Sequence, residues 1–163
     1  MRHVTITRKY LKSIADRIEH GANDDQDYLS GNVPLHLVIS CRPIRILKLL
    51  IENGASLSFK ALDGVIALTY AVSYKQKEMA EFLIESDANI NSTCYNLKTS
   101  LLLTLVLNHE EFVFLLLQNG ASLNAKDQDK ITPIEEGLMR KQMTDFKTMI
   151  VYTQFFEIKR LNK

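Results

Sequence analysis

The sequence predicts an all-α solenoid of stacked repeats. A four-residue phrase reads HGAN, NGAS, SDAN and NGAS at residues 20–23, 53–56, 86–89 and 119–122, so it returns every 33 residues without a gap. A second phrase starts at residues 33, 66, 99 and 132, and reads VPLH, IALT, TSLL and TPIE. A fixed period of this length is typical of proteins in which each unit buries its apolar face against its neighbours.

The first element of each period is predicted to be a helix of about eight residues, for example Pro34–Cys41. Pro34 and Pro133 suit the first turn of a helix, where a missing backbone N–H costs nothing. Thr99 and Thr132 precede that turn in their own periods, and their hydroxyl groups can cap the helix.

The second element is predicted to be an apolar helix of about nine residues, such as Ile44–Glu52, with matching stretches at 77–84 and 110–117. Gly54 and Gly120 follow the ends of two of these helices, where a left-handed backbone suits glycine.

In one repeat the position after the second helix is not glycine, and a polar linker follows it. Asp87 occupies the glycine column, where we expect it to cost about 1 kcal/mol or less. A polar linker such as residues 124–129 then predicts a hairpin-like finger that leads to the next repeat.

These columns resemble the ankyrin repeat over about residues 10–140, through the Thr-Pro-Leu-His motif, the Leu-Leu and Gly-Ala motifs and the period of 33. The resemblance implies an ankyrin-repeat solenoid, with two antiparallel helices and a projecting finger in each repeat. Individual repeats depart from the family pattern, so we expect an array of modest stability. Only His36 keeps the histidine of the motif, and the inter-helix turn that usually holds glycine reads Arg42, Lys75, Asn108 and Lys141.

The period predicts five units along the chain. These are a degenerate N-terminal capping repeat (1–27), three repeats (28–60, 61–93 and 94–126) and a C-terminal repeat or cap with an extended last helix (127–163). Terminal repeats need a polar outer face because nothing stacks on it. The columns that are apolar in the middle repeats become polar at both ends, at Ser13, Asp16, Asp145 and Thr148.

The composition gives no reason to expect nucleic acid or a membrane surface as a partner. Lys and Arg number 20 and Asp and Glu 19, for a net charge of +1. The two cysteines, Cys41 and Cys94, suggest thiols in a reducing compartment. We therefore expect an intracellular protein, cytoplasmic in the first instance, with the nucleus or a host cell as open alternatives.

Side chains with catalytic potential are few and scattered. The four histidines show no zinc-finger or metalloprotease spacing, and His36 is interpreted as a structural hydrogen-bonding residue because of its place in the repeat. Neither cysteine has a neighbouring histidine in sequence, and no glycine-rich phosphate loop is present. We predict a protein that is not an enzyme and that uses no cofactor, metal or small-molecule substrate.

The resemblance also implies a concave face formed by the finger tips and the exposed side of each first helix. Apolar and aromatic residues fall there, where a solvated face would be polar, and such surfaces often bind partners. The alternative is that some of them turn inward as core. The predicted binding face consists of Leu29, Leu62, Val65, Tyr74, Tyr95, Leu107, Ile131 and Met139.

The function predicted from these features is an intracellular protein-protein interaction module, or scaffold, that binds another protein on its concave face and is itself expected to be monomeric. Three narrower alternatives stay open. One is a stand-alone inhibitor resembling the ankyrin inhibitors of Rel-type transcription factors. Another is a substrate adaptor that recruits a second partner through residues 152–163, and the third is a host-directed effector.

Overall fold

The computed structural model describes residues 34–41, 43–61 and 64–139, and it places Lys12, Ser13 and Asp16 in a helix with exposed side chains. The predicted features outside these residues include most of the N-terminal cap and the extended last helix. The chain divides into two compact units, with the boundary between Asn89 and Ile90. The repeat boundaries predicted from the period stay a prediction.

The first unit contains two helix pairs among its described residues. They are α1 (Pro34–Cys41), α2 (Ile44–Glu52), α3 (Ala67–Ser73) and α4 (Lys77–Glu85). Within each pair the helices pack on each other, while α1 also packs on α3 and α2 on α4. First helices therefore contact first helices, and second helices contact second helices, as a stacked array requires.

The second unit repeats the same design. A short turn (Tyr95–Leu97) precedes α5 (Ser100–Leu107), which packs on both α6 (Glu110–Gln118) and α7 (Pro133–Met139). Residues 100–105 of α5 are all buried, which accounts for a helix whose sequence is apolar on nearly every side. The all-α architecture of paired helices predicted from the sequence is confirmed among the described residues.

The helix starts use the residues that the sequence indicates. The Thr99 hydroxyl accepts a hydrogen bond from the backbone N–H of Leu102 at 3.3 Å. At α7 the Thr132 N–H donates to the Glu135 carboxylate at 2.8 Å, and the Glu135 N–H donates back to the Thr132 hydroxyl at 3.3 Å. This reciprocal pair is a capping box. The backbone hydrogen bond from Thr132 is the main cause that lowers the pKa of Glu135.

The helix ends and the inter-helix turns adopt left-handed backbone conformations. Gly54 and Gly120 both have φ of +88°, and an added Cβ would meet no atom within 4 Å, so conformation alone explains glycine there. Asp87 takes φ of 66° in the same column, while Lys75 and Asn108 take 54° and 57° in the turns. The two described inter-helix turns therefore keep a left-handed backbone at a position where neither has glycine.

Replacing Lys75 by glycine is expected to raise the free energy of unfolding by about 0.5–1 kcal/mol. The gain comes from relieving the left-handed strain of a residue with a Cβ, less the extra entropy that glycine gives the unfolded chain. Urea denaturation followed by circular dichroism measures it. Lys60→Gly is the matched control, because Lys60 is also exposed but is not left-handed, and it should give no gain. Equal effects of the two substitutions would contradict the strain argument.

Three fingers close in the same way at intervals of 33 residues. A backbone N–H donates to the carbonyl oxygen four residues later, from Ala61 to Val65 at 3.0 Å, from Cys94 to Lys98 at 2.9 Å and from Asp127 to Ile131 at 3.1 Å. Among the described residues the fingers contain an isolated antiparallel bridge between Thr93 and Thr99 and no regular strand. They are hairpin-like turns, as the sequence predicts.

Candidate protein-binding surfaces

The described members of the predicted binding face are mostly accessible. Tyr74 and Tyr95 are each 50% exposed, Leu107 and Met139 are also exposed, and Ile131 is half-buried. Leu29 and Leu62 lie outside the described residues.

The expectation that Val65 is exposed is wrong, because this residue is only 7% exposed. Its carbonyl oxygen accepts hydrogen bonds from the Ala61 N–H and from the His36 ring, which hold the backbone between the finger and α1. Val65 therefore belongs to the core and is dropped from the candidate surface.

His36 has the structural role that its place in the motif indicates. The ring is buried, and its Nε2 lies 3.0 Å from the carbonyl oxygen of Val65. Because a carbonyl oxygen can only accept, Nε2 carries the proton in this bond. The bond joins α1 to the next finger along the chain, so His36 ties two successive repeats together.

Four rings form an aromatic row in the first unit: Phe59, His36, Tyr70 and Tyr74. His36 makes edge contacts with Phe59, at a centroid distance of 6.4 Å, and with Tyr70, at 5.0 Å. Tyr70 and Tyr74 stack 5.7 Å apart with their planes inclined by 16°. The row emerges from the core at both ends, since Phe59 is 37% exposed and Tyr74 half-exposed, with His36 buried between them.

Two exposed lysines adjoin the ends of the aromatic row in the chain. Lys60 follows Phe59, and Lys75 follows Tyr74. Neither forms an ion pair among the described residues, whereas the nearby Lys77 lies 3.8 Å from Glu81 on the next turn of α4. A positive charge therefore follows each exposed ring of the row in the chain, and no described acidic side chain pairs with it.

Sequence reasoning missed Phe59 and Tyr70 as members of a surface. Tyr70 and Tyr74 are four residues apart on one helix face, a spacing that brings two rings into contact and that the sequence displays. Phe59 had no comparable signal, because its contact with His36 depends on how a finger folds back over α1.

The second unit exposes a separate set of apolar side chains. Tyr95 and Leu97 lie in the finger, where Asn96 and Leu97 take φ of 56° and 57° and the Lys98 N–H donates to the Tyr95 carbonyl at 3.3 Å. Two successive left-handed residues define a type I′ turn, which favours Asn followed by Gly. Leu97 occupies the glycine position and is exposed, a combination that the sequence pattern did not indicate.

A buried ion pair lies beneath this finger. Lys98 Nζ is 2.7 Å from Asp127 Oδ2, and the Asp127 and Lys98 side chains are 1% and 18% exposed. Asp127 Oδ1 also accepts the backbone N–H groups of Asp129 and Ile131, at 3.0 and 2.9 Å. The Lys98 hydrogen bond is the main cause that lowers the pKa of Asp127, against the opposing effect of burial.

One buried thiol forms a hydrogen bond within its own finger. The Cys94 thiol is buried and donates to the Lys98 carbonyl oxygen at 3.2 Å, within its own finger. Across residues 34–41, 43–61 and 64–139, no three His, Cys, Asp or Glu side chains are grouped so that they could hold a metal ion. In the part of the chain that the structure describes, none of the helices has the length and apolar character needed to cross a membrane.

Comparison with protein families identifies the repeats. A family model described as Ankyrin repeats (3 copies) matches residues 3–94 and residues 35–127, which together make up well over half of the chain. A search of curated proteins gives no significant match. The chain belongs to the ankyrin-repeat family. Ankyrin repeats are generally protein-protein interaction modules, and the family is typically non-enzymatic.

Proposed function

We propose that this ankyrin-repeat protein works without catalysis, inside the cell, by holding a partner protein against the exposed part of its predicted binding face. The observation that carries the proposal is the pair of half-exposed tyrosines, Tyr74 in the first unit and Tyr95 in the second. Tyrosine is among the residues most enriched at binding hot spots, because one side chain offers both a large apolar ring and a hydroxyl group.

The fold holds the Tyr74 ring and the backbone of Tyr95 in position. Tyr74 caps the C-terminal end of α3 and stacks on Tyr70. Tyr95 belongs to the finger that the bond from the Cys94 N–H to the Lys98 carbonyl oxygen closes. A side chain that is already ordered loses little conformational entropy on binding, which favours tight capture of a partner.

An intracellular site of action agrees with the cysteine content. The chain has two cysteines, and Cys94 is a buried thiol that a reducing compartment would preserve.

Truncation of either tyrosine tests the proposal. Tagged wild-type protein, Tyr74→Ala and Tyr95→Ala are used to capture proteins from a lysate, with bound proteins quantified by mass spectrometry. We expect at least one protein held by the wild type to be lost from one variant, since truncation at a hot spot costs about 2 kcal/mol, or about thirtyfold in affinity.

Phe114→Ala is the matched control, because Phe114 is an exposed aromatic residue on α6, outside the predicted binding face. It should capture the same proteins as the wild type. A set of captured proteins that depends on Phe114 and is insensitive to both tyrosines would overturn the proposed site.

A further inference from the structure

The aromatic row in the first unit has a defined length. Its centroid spacings of 6.4, 5.0 and 5.7 Å limit the row to a distance that about five residues of extended peptide can cover. Only its ends, Phe59 and Tyr74, are exposed, while His36 is buried between them. A bound molecule would therefore contact the exposed rings at the two ends of the row and would not enter a closed pocket.

Two lysines next to the exposed rings in the chain indicate which kind of ligand the row would bind. Lys60 and Lys75 are both exposed, and each directly follows one of the accessible rings in the chain. The Lys75 backbone is fixed in its left-handed turn by a hydrogen bond from its N–H to the Val72 carbonyl oxygen at 3.2 Å. A ligand with carboxylates on both sides of an apolar group would match two exposed rings that are each followed in the chain by a cation.

We propose that the aromatic row binds a short acidic segment of a partner protein in extended conformation, with an apolar or aromatic side chain against Phe59 and Tyr74 and carboxylates near Lys60 and Lys75. The proposal rests on the protein-binding function above and names the chemistry of the partner at one part of that face.

Single-stranded nucleic acid is the competing occupant, because it also combines negative charge with flat rings. Two features favour the peptide. Tyr70 and Tyr74 stack on each other, so one face of each ring is covered and cannot stack on a nucleic-acid base. Strand binding also draws on a long basic groove, whereas the chain has a net charge of +1.

Selection from a random heptapeptide library displayed on phage tests the proposal on the intact chain. Wild-type protein and the Lys60→Glu, Lys75→Glu double variant are used as parallel targets. We expect the wild type to enrich peptides with Asp or Glu on both sides of an apolar residue, and the double variant to lose them. Absence of any selected peptide, or selected peptides without acidic enrichment, would overturn the proposal.

Fluorescence anisotropy with the strongest selected peptide, labelled with fluorescein, then locates the site. Tyr74→Ala and the Lys60→Glu, Lys75→Glu double variant should each weaken binding at least about tenfold. Tyr95→Ala, an equally exposed tyrosine in the second unit, and a Lys126→Glu, Lys130→Glu double variant should leave the dissociation constant unchanged. Circular dichroism verifies that every variant is folded.

The remaining outcomes separate this inference from the proposed function. A selected peptide whose binding depends on Tyr95 and is insensitive to Tyr74 would overturn the inference and leave protein binding in place. A labelled oligothymidylate of about ten nucleotides that binds more tightly than the peptide, and loses binding in Tyr74→Ala, would overturn it in favour of nucleic acid.

Discussion

Replacing Phe112 by alanine is expected to lower the free energy of unfolding by about 3–5 kcal/mol. Among the described residues Phe112 is the largest fully buried side chain, with an exposed fraction of 0%. It lies on α6, which packs on α5. Truncation removes the apolar contacts of the ring and leaves a cavity that the surrounding side chains cannot fill without strain. Urea denaturation followed by circular dichroism measures the loss.

The control for this substitution lies two residues away on the same helix. Phe114 is 49% exposed, so Phe114→Ala makes the same chemical change without opening a buried cavity, and it should cost less than about 1 kcal/mol. A similar loss in both variants would contradict the burial that the structure assigns to Phe112.

Replacing Asp127 by alanine is expected to cost about 2–3 kcal/mol at neutral pH. The change removes the 2.7 Å contact with Lys98 and leaves the N–H groups of Asp129 and Ile131 without their carboxylate acceptor. Asp129→Asn is the matched control, because Asp129 is exposed in the same finger, and it should stay within about 0.5 kcal/mol of the wild type.

The cost of losing Asp127 should depend on pH. Its pKa in the folded protein lies below the ordinary value of 3.8, so folding favours the carboxylate. The stability that this adds is fully present above the ordinary pKa and is lost as the pH falls through the lower folded pKa. The difference between wild type and Asp127→Ala measured in urea should therefore be constant near neutrality and shrink in acid. A difference that grows on acidification would refute the assigned direction.

The helices could be predicted from the sequence because local chemistry sets their limits. Proline at the first turn, threonine before it and glycine after the second helix each act within a few residues of the chain, so Pro34–Cys41 and Ile44–Glu52 have the predicted bounds. The remaining helices could be predicted from the period of 33, because it aligned repeats that depart from the motif with repeats that keep it. Even Asp87 adopts the left-handed conformation expected of its column.

The surface could be predicted only in part, because side-chain exposure depends on contacts between repeats. Tyr74 and Tyr95 are exposed as predicted, but Val65 is held inward by a bond from His36, which lies 29 residues earlier in the chain. The contact of Phe59 with His36 and the left-handed Leu97 likewise result from how a finger folds. No pattern with a period of 33 determines these features.

The bonds between the fingers of the second unit also affect how cooperatively the array unfolds. The Lys98–Asp127 pair, and the bond from the Gln128 N–H to the Asn96 carbonyl oxygen at 2.9 Å, both join successive repeats. In a nearest-neighbour description of a linear array, such bonds contribute to the coupling energy between neighbouring repeats. They do not contribute to the intrinsic stability of either repeat. They raise the free-energy cost of a boundary between a folded and an unfolded repeat. We therefore expect residues 127–131 to open together with the preceding finger.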